Sequence, residues 1–98
     1  MKLEFHPEAE WELIEAAAYY EAKIPGLGER FGVEVRQAID LLLAQPGMGV
    51  LAGPELRQFV LSRFPYSLIY SVLPDALVIL VVAHQSRRPG YWRSRSVR

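Results

Sequence analysis

Eight consecutive apolar residues, 76–83 (ALVILVVA), constrain this chain more than any other stretch. The run is far too short to cross a bilayer, and its Val, Leu and Ile content marks it as a strand. It shows no alternation of polar and apolar residues, which predicts a central strand covered on both faces. Residues 66–73 form a neighbouring strand linked to it by Pro74 and Asp75, and so short a link makes the pair antiparallel. In that neighbour Tyr66, Leu68, Tyr70 and Val72 share one face, and Ser67, Ile69 and Ser71 the other. Residues 56–61 read as a further strand ahead of a turn at 62–65.

The rest of the chain supplies cover for this sheet. Residues 2–5 read as a brief first strand that ends before Pro7. Pro7 then opens a helix over residues 7–23, with Glu8, Glu10 and Glu12 at the positive end of its dipole. No Ser, Thr, Asp or Asn stands at its start, so the helix is expected to lack a side-chain cap. Ala9, Leu13, Ala16, Ala17 and Tyr20 form its buried face, and Trp11, Ile14, Ala18 and Tyr19 carry apolar surface well round the cylinder. Pro25, Gly26 and Gly28 mark a reversal, and a second helix follows over residues 27–45, with Phe31, Val35, Ala38 and Leu42 as its stripe. The two helices are expected to form an antiparallel hairpin. Residues 46–55, rich in Gly and Pro, read as a plain connector without the Lys or Ser/Thr of a phosphate loop.

The fold class is therefore α+β: a short N-terminal strand, an antiparallel helix hairpin, a three-stranded antiparallel sheet and a short C-terminal tail. Its 98 residues make one domain. The hairpin covers one face of the central strand, so the other needs either the C-terminal segment or a partner.

Charge is divided unevenly along the chain. Residues 1–49 carry four basic and nine acidic groups, whereas residues 50–98 carry seven arginines against Glu55 and Asp75. The basic end suits an anionic partner, nucleic acid or acidic protein. With no cysteine there is no disulfide or thiolate metal site, no histidine pair suggests another metal, and no cofactor motif is present. The start has no apolar run of signal-peptide length, so a soluble cytoplasmic protein is expected.

Directly after the central strand come His84, Arg87, Arg88, Tyr91 and Trp92. A histidine, a tyrosine and arginines are the base, acid and phosphate clamp of RNA cleavage through a 2′-hydroxyl. The same residue types dominate protein-binding hot spots. Trp92 is assigned to packing, while the adjacent arginines, which have little structural use, are assigned to function.

In their order and spacing, Pro7-Glu-Ala-Glu, Ala16-Ala-Ala-Tyr-Tyr-Glu21, Pro25-Gly-Leu-Gly28, Phe64-Pro-Tyr66 with Ile69-Tyr70, and His84 followed by Arg87-Arg-Pro-Gly-Tyr-Trp92 resemble the RelE/ParE superfamily of toxins from bacterial type II toxin–antitoxin modules. The superfamily contains ribosome-dependent messenger-RNA endonucleases and ParE-like inhibitors of DNA gyrase. Ser67 stands where the nuclease branch carries a phosphate-contacting arginine, and residues 46–56 lack that branch's extra basic groups. The chain is thus more similar to the ParE side. The resemblance implies a target-binding set of Arg63, His84, Arg87, Arg88, Tyr91 and Arg93. It implies a cognate antitoxin that covers Trp11, Ile14, Ala18 and Phe31 and meets Arg87 and Arg88 with an acidic stretch. Operator DNA is reached only through the antitoxin. The alternatives are a nuclease using His84, Arg87 and Tyr91, and a homologue without toxicity that only binds antitoxin.

Overall fold

A computed structural model of the chain describes residues 1–97, so Arg98 lies outside the described residues. Strand β1 (Lys2–Phe5) leads into helices α1 (Pro7–Lys23) and α2 (Leu27–Ala44). A 3-10 turn (Pro46–Met48) and strands β2 (Val50–Gly53), β3 (Leu56–Val60), β4 (Tyr66–Val72) and β5 (Ala76–His84) follow. The five strands form one sheet in the order β1-β5-β4-β3-β2. β1 runs parallel to β5, and every other pair is antiparallel. The apolar run is thus near the centre, flanked by β1 and β4.

Four strands follow the helices rather than three, because the segment read as a connector contains β2. Its strand is only four residues long and sits between glycines, which hides it from any periodicity test. Side chains from the sheet hold the segment in place. Tyr70 Oη accepts from the Gly49 amide at 2.9 Å and donates to the Pro46 carbonyl at 2.7 Å. Arg57 donates to the Gly49 carbonyl at 2.7 Å. The hairpin beyond β2 turns through Pro54 and Glu55, where Glu55 adopts φ 58°, the left-handed conformation required at the third position of such a turn.

The start of α1 also differs from expectation. His6 caps it: Nδ1 accepts from the Glu8 amide at 3.1 Å, and the backbone at His6 is extended. An imidazole offers the same acceptor lone pair as the usual capping oxygens, so histidine substitutes for them here. Glu21 joins α1 to α2, its two carboxylate oxygens accepting from the amides of Gly26 (2.8 Å) and Gly28 (3.1 Å). Those are orphan donors at the start of α2, where a negative charge also complements the helix dipole. The helices meet so closely at Gly28 that an added Cβ would stand 2.3 Å from the Ala17 carbonyl oxygen. Gly28→Ala is therefore expected to destabilise the fold by about 2 kcal/mol through overpacking, outweighing alanine's helix propensity, and chemical denaturation measures it.

The sheet has a core on each face. Toward the helices, Phe31, Val35, Leu42, Leu68, Tyr70, Leu77 and Ile79 pack with Ala9 and Ala16. On the opposite face Ile69, Leu80, Val81 and Trp92 pack together, with Tyr91 and Val97 at the margin. The second cover is thus the chain's own C-terminal segment. A bulge aids this arrangement: Tyr70 pairs with Ile79 and Ile69 with Val81, leaving Leu80 out of register among the residues of the outer core.

Phe31 requires a correction. It is wholly buried, in edge-on contact with Phe64 and Tyr66, and presents no surface to a partner. As the first large residue of the α2 stripe it faces the sheet, as the helical period requires.

Candidate functional site: a basic edge and an apolar helix stripe

Arg87 and Arg88 lie in the turn that follows β5, and Arg63 in the β3–β4 turn beside it. His84 is the last residue of β5, opposite Tyr66, whose ring it meets edge-on at 5.1 Å. The chain then turns: the Gln85 amide donates to the Pro65 carbonyl and the Arg87 amide to the His84 carbonyl. His84 Nδ1 accepts from the Ser86 amide at 2.9 Å and lies 2.7 Å from its hydroxyl. Accepting from an amide requires that nitrogen to be unprotonated, so the ring acts as the cap of its own turn.

Tyr91 is also held. Its hydroxyl donates to Glu12 Oε2, and the Arg87 guanidinium stacks 3.8 Å from its ring centroid. Burial first, then the hydrogen bond to the Glu12 carboxylate, push the Tyr91 hydroxyl pKa up to about 12. A phenol held so firmly in its protonated form is a poor proton donor at neutral pH. Arg93 lies 5.3 Å from the Trp92 ring, its side chain crowding the space where Gly90 lacks a Cβ.

Glu12 is the hub of this region. Arg95 grips it with two charge-assisted hydrogen bonds of 2.8 Å, and Oε1 also accepts from the Val82 amide at 3.0 Å. Arg95 donates to the Leu80 carbonyl at 3.1 Å as well. β1 pairs with β5 only as far as Ile79, so the Glu12–Arg95 pair serves the β5 backbone just beyond the end of β1. Burial raises the Glu12 pKa, but the hydrogen bonds from Arg95, Tyr91 and Val82 outweigh it and hold the carboxyl below its ordinary value.

The sequence placed Glu12 with Glu8 and Glu10 at the positive end of the α1 dipole, but only those two are in the first turn, and it assigned no role to Arg95. One signal was present: Glu12 lies three residues from Ala9 and four from Ala16, on the buried face of its helix. An acid in that position needs a cation, but nothing in the sequence says which arginine reaches it across 83 positions.

The structure leaves Arg63, Arg87, Arg88 and Arg93 exposed. Among the described residues, none of the four is in a salt bridge. Arg63 projects from the β3–β4 turn, whose amides at Ser62 and Arg63 donate to Glu34 of α2. That turn and the His84 turn are at the same end of the sheet, tied by the Tyr66–His84 pair. Ser67 pairs with Ala83 next to the Tyr66–His84 pair, and its buried hydroxyl accepts from Gln58 at 3.0 Å.

α1 exposes Trp11, Ile14, Ala18 and Tyr19, with Trp11 60% and Ile14 52% accessible. Among the described residues no group of three His, Cys, Asp or Glu could hold a metal ion. No helix among them is long and apolar enough to cross a membrane.

Set beside known proteins, this arrangement has a clear relation. The family described as "ParE toxin of type II toxin-antitoxin system, parDE" matches residues 3–89. The chain therefore belongs to the ParE toxin family of type II toxin–antitoxin systems. Its fold is similar to a chain in a structure titled "Chromosomal ParDE TA system from P. aeruginosa", at 23% sequence identity and a TM-score of 0.74. The similarity covers 86% of this chain and 95% of that one. No curated protein sequence gives a significant match.

Proposed function

We propose that this ParE-family toxin acts in the cytoplasm by binding and inhibiting DNA gyrase, and that a cognate antitoxin neutralises it. One observation carries the choice of binding over chemistry. At the basic edge the Tyr91 hydroxyl is held by Glu12 and one nitrogen of His84 by its own exposed turn, while the arginines face outward. Arg87, Arg88 and Arg93 are exposed, and Arg87 is steadied by the Tyr91 ring. Arginines backed by aromatic rings suit a protein hot spot.

The antitoxin reading draws on the parDE description of the family and on the exposed Trp11, Ile14 and Ala18. Free energy favours covering such a stripe, and a segment that folds on binding does so over a long path.

The test is a supercoiling assay with purified gyrase and this protein, with and without the product of the adjacent small open reading frame. Inhibition or trapped cleavage complexes, relieved by that product, are expected. No effect on gyrase at concentrations that arrest cells would transfer the activity to the ribosome, where primer extension on messenger RNA would detect cuts. Expression without growth arrest would leave only the antitoxin-binding role.

A further inference from the structure

The β3–β4 turn, residues 61–65, is held at both ends by the rest of the fold. Leu61 is buried, and its amide donates to the Tyr66 carbonyl at 2.9 Å. The Phe64 ring packs against Tyr20 at 4.9 Å and Phe31 at 5.1 Å. The Pro65 carbonyl accepts from the Gln85 amide at 2.8 Å, which joins this turn to the one that carries Arg87 and Arg88. Between these anchors Ser62 and Arg63 are exposed, and the amides of both donate to a single oxygen, Glu34 Oε2, at 2.7 and 3.0 Å. Successive amides converging on one anion fix both peptide planes. Glu34 itself stands on a firm base, since Phe31 and Val35 beside it on α2 are wholly buried. A carboxylate next to an arginine would ordinarily take its guanidinium. This one takes the backbone, and Arg63 is in no salt bridge among the described residues.

We infer that Glu34 is a positioning residue for target recognition: by holding the Ser62 and Arg63 amides it sets the direction in which Arg63 leaves the turn, beside Arg87 and Arg88. The identity of the target rests on the gyrase reading above; the positioning rests on the two hydrogen bonds. The fold already holds the turn through Leu61, Phe64 and Pro65, so closing it does not require the carboxylate. What Glu34 adds is direction, at the one residue of the turn that bears a charge. An arginine that grips a partner loses rotamer freedom on docking, and a backbone free to swing would add to that cost. Two charge-assisted hydrogen bonds remove the backbone part in advance. On the neighbouring turn Arg87 is steadied by other means, its guanidinium 3.8 Å from the Tyr91 ring centroid. Two turns tied to each other thus present arginines whose directions are set before the target arrives.

The experiment is a double-mutant cycle read as inhibition of gyrase supercoiling, with thermal midpoints as the folding control. Arg63→Ala should weaken inhibition about tenfold, and Glu34→Ala by a smaller factor. In the Arg63→Ala background, Glu34→Ala should add nothing, because the residue it aims is gone. Glu34→Gln keeps an oxygen able to accept from both amides, so it should inhibit nearly as well as the intact protein. Losses that add independently, a harmless Arg63→Ala or Glu34→Ala, or no rescue by glutamine would overturn the inference and leave the gyrase reading intact. A Glu34→Ala protein that does not fold would also overturn it, since the carboxylate would then be structural. If the intact protein arrests growth without inhibiting gyrase, the gyrase reading fails, and the same cycle read as growth arrest decides the positioning. An intact protein that does neither overturns both.

Discussion

Glu12→Ala is expected to destabilise the protein by about 3–5 kcal/mol, the largest loss of any single substitution outside the main core. The reason is what remains behind. The Arg95 side chain is 6% accessible and that of Glu12 13%, so truncation leaves a buried guanidinium facing a void. It also strips the Val82 amide of its acceptor and the Tyr91 hydroxyl of its partner. The C-terminal segment is fastened to the sheet largely through these bonds, so Trp92 loosens with them and the outer core over Ile69, Leu80 and Val81 opens. Replacing both partners in a Glu12→Met/Arg95→Met protein is expected to cost far less, because no charge is then left buried without its mate. Urea titration of the two single variants and the double variant measures the difference. A loss below about 1 kcal/mol for Glu12→Ala would mean that the pair behaves like a surface salt bridge.

The same cluster sets a pH dependence. The folded Glu12 carboxyl has a pKa below its ordinary value of 4.5, so its contribution is complete above that value. It is lost as pH falls through the lower folded value. Tyr91 acts in the opposite sense. Its pKa rises from 10 to about 12 on folding, so its contribution is complete below 10 and disappears as pH climbs toward 12. Stability from this cluster should form a plateau between those limits. Glu12→Gln should flatten the acid side of the pH–stability curve.

The sheet's central pair was legible because composition and spacing agreed there. An eight-residue apolar run beside an alternating strand, joined by Pro74 and Asp75, admits few other arrangements. The helices were legible from their periodicity, and α1 occupies the expected residues. What was hidden depends on contacts made at long range. β2 is too short to show a period, and the turn before it is held at Gly49 by Tyr70 and Arg57 from other strands. The parallel pairing of β1 with β5 joins the two ends of the chain, and no local rule reveals it. The candidate site divides in the same way. Exposed arginines can be read from their clustering after β5, but the occupation of His84 by Ser86 and of Tyr91 by Glu12 cannot. Phe31 was misplaced because a resemblance assigns surfaces only by position, whereas the α2 stripe had already put that ring inside.

Reversing both arginines, Arg87→Glu/Arg88→Glu, is expected to weaken gyrase inhibition by about a hundredfold or more, since hot-spot arginines contribute ~2 kcal/mol each and the new charges repel. Both side chains are exposed, so the thermal midpoint should be nearly unchanged, which separates loss of recognition from loss of fold. Arg93→Ala should have a smaller effect, because that side chain already lies across Gly90 and against Trp92. His84→Asn supplies the contrasting measurement. An asparagine oxygen can accept from the residue 86 amide as the imidazole nitrogen does, so the turn survives while proton transfer is removed. For a toxin that acts by binding, His84→Asn should retain inhibition and growth arrest, and the double arginine reversal should abolish them. A nuclease would give the reverse ranking at His84, with arrest lost on His84→Asn and cleavage of messenger RNA lost in step. Two variants, compared in one growth assay and one supercoiling assay, therefore decide whether the basic edge grips its target or cuts it.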